Sequence, residues 1–278
     1  MPSPTPNAPT VAFIGGGNMA RSLIGGLVAR GRPADAIRVA EPVAALRDAL
    51  KQDFGVTCAE HATAAAEGAN VWVLAVKPQV MREVCAALVP LAQAHRPLVV
   101  SIAAGITTGQ LDRWLGGGLP VVRAMPNTPA LLGAGITGLF ANARTADAQR
   151  ADADALLEAV GPTVWIDDET KMDAVTAVSG SGPAYVFLLA EAMQAAGIAQ
   201  GLPPEAARAL VQQTLLGAAT MLVQQDEPAD VLRKRVTSPG GTTQAAIETF
   251  EAGGFRELVG RAIQAATERG RQLSAAND

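Results

Sequence analysis

The chain is short of aromatic residues, cysteine, histidine and runs of like charge, and each shortage excludes something. Aromatics supply 4% of the 278 residues, against 49% for hydrophobic residues as a whole. A sizeable core can form, but from small side chains in close backbone contact, which suits helices and a glycine-rich nucleotide fold. The two cysteines, Cys58 and Cys85, have no metal-ligand spacing. They read as small apolar residues in a reducing cytosol, and the cytoplasm is the expected location. No metal site is expected. His61 and His95 stand beside neither a nucleophile nor a carboxylate pattern and are expected at the surface. Ser179, Ser181 and Ser238 lack a nucleophile elbow and a nearby base. Net charge is −4, and the longest basic cluster is Arg233-Lys234-Arg235, so the footprint of a nucleic-acid binder is missing. Purely apolar runs such as 71–76 are too short to span a bilayer. Residues 1–10, MPSPTPNAPT, have neither a positive region nor an apolar one and read as a disordered arm, not a signal peptide.

What is present is an alternation of strand and helix. VAFIG (11–15) is a short apolar run that stops at glycines, as a buried parallel strand does. A helical segment over 19–30 follows, with Gly31 as its C-terminal stop. IRVAE (37–41) is a second strand and 44–54 a second helix. VWVLAV (71–76), PLVVSIAAG (97–105), VVRAM (121–125), GITGLFA (135–141) and TVWID (163–167) read as further strands. This predicts an α/β fold, a Rossmann-type, doubly wound, mainly parallel sheet over residues 11–168. Beyond it the strand signal ends. Helices are expected over 172–178, 184–196, 204–224, 228–235, 243–252 and 255–273, making an all-α domain of 169–278. The 204–224 segment is apolar over most of its circumference, which implies burial on more than one face and hints at a second chain.

Four stretches carry chemistry. In FIGGGNMA (13–20), Gly15, Gly17 and Ala20 fit G-x-G-x-x-G/A at a strand-to-helix turn. Gly15 permits the turn, Gly17 lets backbone approach a pyrophosphate, and Ala20 allows close packing, so Gly15, Gly16, Gly17, Asn18 and Met19 are the expected cofactor loop. Glu41, ending the second strand, can accept from adenosine ribose hydroxyls and repel a 2′-phosphate, which favours NADH; a solvated acid is the plainer reading, and Arg38 and Arg47 are near enough to offer a 2′-phosphate a partner instead. Ala75, Val76, Lys77 and Pro78 close the third strand, where Lys77 can reach cofactor phosphates or ribose, or simply lie in solvent, and Pro78 starts a helix. Ala103 and Ala104, and the ledge at Asn127, end later strands in the same way. Last come SGSGPAY (179–185) and VTSPGGTT (236–243), small residues before a helix. Helix-start N–H groups with the hydroxyls of Ser238, Thr242 and Thr243 suit a carboxylate, while Gly180 and Gly182 equally serve close packing. With no base or metal to hand, the chemistry falls to a bound nicotinamide.

FIGGGNMA, AVKPQ, RAMPNTP, AVSGSGPAYVF and VTSPGGTT, in this order, resemble the pyrroline-5-carboxylate reductase family over nearly the whole chain, about residues 11–273. The resemblance implies hydride transfer from NAD(P)H to the C=N carbon of 1-pyrroline-5-carboxylate, giving L-proline in the last step of proline biosynthesis. It places the substrate carboxylate on the loop of Ser238, Gly240, Gly241, Thr242 and Thr243, with Thr243 bonding the ring nitrogen as the catalytic residue. Glu169 and Asp226 fall at the substrate end, Asp226 where a glutamate often stands. It further implies a homodimer formed through the helical domain, its active site borrowing residues across the interface, and assembly of dimers into a decamer. Two positions depart from the pattern of members read as NADPH users: Ala62 replaces an asparagine, and Glu41-Pro42 replaces a serine or an Asn-Arg pair. Two rivals are a β-hydroxyacid-dehydrogenase-like oxidoreductase, whose catalytic lysine is missing from 179–197, and a non-enzymatic dinucleotide sensor, which would not need VTSPGGTT.

Overall fold

The computed structural model describes residues 9–277. Strands β1 (Val11–Ile14), β2 (Ile37–Ala40), β3 (Thr57–Ala59), β4 (Val71–Leu74), β5 (Leu98–Ser101), β6 (Val121–Met125), β7 (Thr137–Ala141) and β8 (Thr163–Trp165) form one sheet in the order β3-β2-β1-β4-β5-β6-β7-β8. Every adjacent pair is parallel except β6 and β7, which are antiparallel. Helices α1 (Asn18–Ala29), α2 (Ala44–Phe54), α3 (Ala62–Ala66), α4 (Pro78–His95), α5 (Thr108–Trp114), α6 (Asp147–Leu157) and α7 (Met172–Val175) accompany it.

Alternating residues along each strand point to opposite faces. Val11, Phe13, Val73 and Val100 therefore join one apolar cluster with Leu23, Ile24 and Leu27 of α1. Ala12, Ile14, Trp72, Leu74 and Val99 join another with Met81, Cys85 and Leu88 of α4. Burial on both faces is why the strands read as continuous apolar runs and not as alternating ones.

Several strands end before the expected boundary. β1 stops at Ile14 because Gly15 turns the chain at φ +108°. β5 stops at Ser101, four residues short of the glycine at 105. The stop of α1 at Gly31 is a Schellman turn: Gly31 sits at φ +89°, its N–H donates to the Val28 carbonyl at 3.0 Å, and the Arg32 N–H reaches the Leu27 carbonyl at 3.0 Å. The arm expected over 1–10 lies outside the described residues as far as residue 8. Thr10 is described, and its carbonyl accepts from the Asn70 N–H at 2.9 Å.

The chain divides into two compact units, one running to Ser181 and resuming at Ala266, the other Gly182–Ala265. The second is wholly helical: α8 (Gly182–Ala199), α9 (Pro204–Gln224), α10 (Ala229–Arg235), α11 (Thr242–Ala252) and the first half of α12 (Phe255–Ala276). No residue of α8 is buried, and in α9 only Ala207 and Val211 are. The helix expected over 172–178 is shorter, α7 ending at Val175 and passing into a π-helical turn over Thr176–Gly180. The Ser181 N–H reaches back to the Thr176 carbonyl at 2.8 Å, and Gly180 makes room for Met125, whose Cε lies 2.6 Å from where a Cβ would stand.

Candidate active site

The strand order reverses between β1 and β4, and the expected glycine turn stands at that point. A Cβ on Gly15 would meet the Ala75 carbonyl oxygen at 2.7 Å, so only glycine fits there. A Cβ on Gly17 would meet nothing within 4 Å, which leaves open space over the start of α1. Gly17 is the N-cap and has no side chain to satisfy the first N–H groups of the helix. Open space, free amides and the positive end of the helix dipole fit a pyrophosphate. Ala20 is 1% exposed, packed as the motif requires.

Glu41 lies against this turn. One carboxylate oxygen accepts from the Gly16 N–H at 3.0 Å and the other from the Val43 N–H at 2.9 Å. The residue is 7% exposed, so it is not a solvated strand-end acid. A carboxylate has about four acceptor positions, which leaves capacity for ribose hydroxyls. Arg47 donates from Nη1 to the carbonyls of Glu41 at 2.7 Å and Pro42 at 2.8 Å.

At the next strand end Lys77 is the exposed N-cap of α4, and Pro78 takes the first helical position as expected. The Ala75 N–H donates to the Ile14 carbonyl at 2.8 Å, holding this corner beside Gly15. Ala103 is buried and Ala104 exposed, and the Ala103 N–H donates to the Ser101 hydroxyl at 3.3 Å. Asn127 is engaged within the protein: its amide nitrogen donates to the Ser179 carbonyl at 3.2 Å, and its oxygen accepts from the Ile136 N–H at 3.0 Å. It fixes the RAMPNTP ledge to the π-helical turn.

The helical unit presents the other expected loop. Ser238-Pro239-Gly240-Gly241 is a type II turn: Pro239 precedes Gly240 at φ +69°, and the Gly241 N–H donates to the Ser238 carbonyl at 3.0 Å. Gly241 then caps α11 without a side chain, leaving the amides of Thr242 and Thr243 at the open helix start. The Gly240 N–H is taken by the Gln244 side chain at 2.6 Å. Ser238 and Thr242 are exposed and Thr243 half-buried. Asp226 is exposed between α9 and α10, while Arg235 bonds its neighbours Gln225 and Glu227.

Two family models match the chain: pyrroline-5-carboxylate reductase dimerisation over residues 169–273, and NADP oxidoreductase, coenzyme F420-dependent, over residues 10–105. The pyrroline-5-carboxylate reductase of Pseudomonas aeruginosa is 53% identical over 269 residues, covering 96% of this chain and 98% of that one. The chain belongs to the pyrroline-5-carboxylate reductase family. Among solved structures of the family, that from Coxiella burnetii superposes with a TM-score of 0.93 at 42% identity over 96% of this chain and 99% of its own. That from Plasmodium falciparum, crystallised with NADP bound, superposes at 0.83 and 28% identity over 96% and 98%.

In this member of the family Glu169 is tied to the N-terminus of α5. Its carboxylate accepts from the Thr108 N–H at 2.7 Å and the Thr108 hydroxyl at 2.8 Å. Arg123, 3% exposed in β6, lies 3.8 Å from Glu169 and donates to Asp173 at 3.0 Å. Gly270 permits the packing, since a Cβ there would come within 3.2 Å of the Asp173 Cβ. Sequence reading missed Arg123, Asp173 and Gln244. The partners of Arg123 lie 46 and 50 positions away, as their numbers show, and no local pattern joins them. Gln244 was detectable, standing one turn beyond an uncapped Gly240. Among the described residues, no group of three or more His, Cys, Asp or Glu side chains is placed to hold a metal ion. No described helix is long and apolar enough to cross a membrane.

Proposed function

We propose that this chain reduces the C=N bond of 1-pyrroline-5-carboxylate to give L-proline, as the last step of proline biosynthesis in the cytoplasm. The observation that carries the reading is a bare helix start at the sheet's switch point, joined in one chain to a second bare helix start within the matched dimerisation region. Bound NAD(P)H supplies the hydride. Gly15 and Gly16, whose own N–H groups are bonded to the Ala40 carbonyl and the Glu41 carboxylate, shape the turn; the amides of Gly17, Asn18 and Met19 hold its pyrophosphate, and Ala75 to Pro78, Ala103, Ala104 and Asn127 frame the rest of its length. The Ser238 hydroxyl and the open amides of Thr242 and Thr243, joined by that of Gly240, grip the substrate carboxylate, while Gly241 spends its own N–H on closing the turn, and Thr243 bonds the ring nitrogen. Gln244 must then release or share the Gly240 amide. Glu169 acts at the substrate end through the α5 start it caps, and Asp226 from the α9–α10 turn.

A protonated imine accepts hydride far more readily than a neutral one. Placement and a hydrogen bond at nitrogen therefore do the work that a strong acid would otherwise do. The loop meets the cofactor of a partner chain, so the working unit is a dimer, and dimers assemble into a decamer. Glu41 favours NADH over NADPH by offering the ribose a carboxylate and a 2′-phosphate like charge.

Absorbance of the reduced cofactor, followed with and without 1-pyrroline-5-carboxylate, tests the reaction; oxidation that does not depend on the imine would contradict it. Comparing kcat/KM for NADH and NADPH tests Glu41, and a strong preference for NADPH would contradict that part alone.

A further inference from the structure

Arg38 and Arg47 stand near enough in sequence to meet a 2′-phosphate, yet the Arg47 guanidinium is already engaged. Nη1 spans the carbonyls of Glu41 and Pro42 at 2.7 and 2.8 Å. Nη2 lies 3.6 Å from the Glu60 carboxylate, and the side chain is 17% exposed. Recognition of a phosphate uses the guanidinium fork, and here both terminal nitrogens face protein oxygen. Arg38, the other arginine near this turn, donates to the Glu67 carbonyl.

Meanwhile every polar group of Glu41 has a partner. Its N–H donates to the Ala59 carbonyl at 3.0 Å, its carbonyl accepts from Arg47, and its carboxylate spans Gly16 and Val43. The carboxylate ties the glycine turn to the β2–α2 turn, and Arg47 fixes the backbone from which that carboxylate projects.

We propose that Arg47 is a positioning residue for cofactor choice: it clamps the Glu41–Pro42 backbone and so holds the Glu41 carboxylate on the glycine turn, and it is not a ligand of a 2′-phosphate. The proposal rests on the reading that Glu41 meets the adenosine ribose. Its consequence is that Arg47 supports binding of the nucleotide without a 2′-phosphate, the opposite of what an arginine at this position suggests.

Calorimetric titration with ADP and with adenosine 2′,5′-bisphosphate separates the possibilities without turnover. Arg47→Ala is expected to weaken ADP binding about three- to tenfold, with no larger loss for the bisphosphate. Arg47→Lys is expected to recover most of the ADP affinity, because an ammonium can donate to both carbonyls. In the wild-type protein, the Arg47 side-chain NMR signals should stay in place when the bisphosphate replaces ADP, a readout that does not depend on how the variants fold. Unchanged ADP binding in Arg47→Ala, a selective loss of the bisphosphate, or a shift of the Arg47 signals with the bisphosphate would each overturn the clamp. Tighter wild-type binding of the bisphosphate than of ADP would instead remove the Glu41 reading, and the two failures are distinguishable.

Discussion

The two compact units of the chain dispose of their apolar side chains in opposite ways. In the unit built on the sheet, strand residues such as Val11, Phe13, Trp72 and Val100, each 0% exposed, are covered on one face or the other by helices of the same chain. In Gly182–Ala265 the described hydrophobic residues that are buried are Ala207, Val211 and Leu232, while Phe187 is 63%, Leu188 65%, Leu216 61% and Val223 85% exposed. The apolar content of α8 and α9 is that of core helices, without a core in the single chain to receive it. The functional stretches follow the same division. The glycine turn is braced where it stands by Glu41, whereas the Ser238–Thr243 loop is largely exposed, with its Gly240 amide taken by Gln244 and its Gly241 amide by the Ser238 carbonyl. Under the proposed function, the cofactor site is finished inside one chain while the substrate site waits for a second.

Four variants or probes break or sharpen that contrast, from the largest effect to the smallest. Phe187→Asp together with Leu216→Asp should abolish the dimer and cut kcat/KM more than about a hundredfold, since a buried unpaired charge is strongly unfavourable. ADP affinity should be unchanged. A variant that still sediments as the wild type would show that these faces are not interface.

Arg123→Met should destabilise the sheet unit by about 3–5 kcal/mol, because it removes the buried cation that pairs with both Asp173 and Glu169. Urea unfolding monitored by the strand signal reads this, and a loss below about 1 kcal/mol would contradict a structural role for the pair. Thr243→Ala should lower kcat/KM about tenfold to a hundredfold, the value of a hydrogen bond to a charged group, and leave ADP binding alone. An unchanged kcat/KM would remove Thr243 from the mechanism.

The smallest effect concerns the thiols. Burial pushes the Cys85 thiol up to about 12, and partial burial also raises Cys58 from its ordinary value. Cys58 should react with a thiol reagent in the native protein and Cys85 only on unfolding. The sign for stability follows. Above pH 9 the unfolded chain loses the Cys85 proton while the folded chain keeps it until about pH 12, so this group lowers stability as pH rises through that window.

Much of the fold was legible because its signals are local. Buried parallel strands gave apolar runs, and glycines and prolines marked Gly15, Gly31 and Pro78 as boundaries. β3 was not legible: Thr57–Ala59 is three residues long, with an exposed threonine, and shows neither alternation nor a run. Nor was the antiparallel turn into β7, where a short 3-10 segment over Thr128–Leu132 replaces the crossover helix that a parallel connection would need. The π-helical turn at Thr176–Gly180 depends on the fit of Gly180 against Met125, a contact across 55 positions that no local pattern carries. In the site, the glycine turn and the VTSPGGTT loop were read from sequence. That Asn127 and Glu169 spend their polar atoms on Ser179, Ile136 and Thr108 needed coordinates.

The central claim, that each working site joins the cofactor turn of one chain to Thr243 of another, is tested most directly by mixing two impaired proteins. Gly15→Val removes the turn and Thr243→Ala removes the substrate contact. Unfolded and refolded together, they should recover about a quarter of wild-type activity, since half the dimers are mixed and one of the two sites in each carries neither change. If mixing restores nothing while mixed dimers form, both halves of the site come from one chain, and the account is wrong.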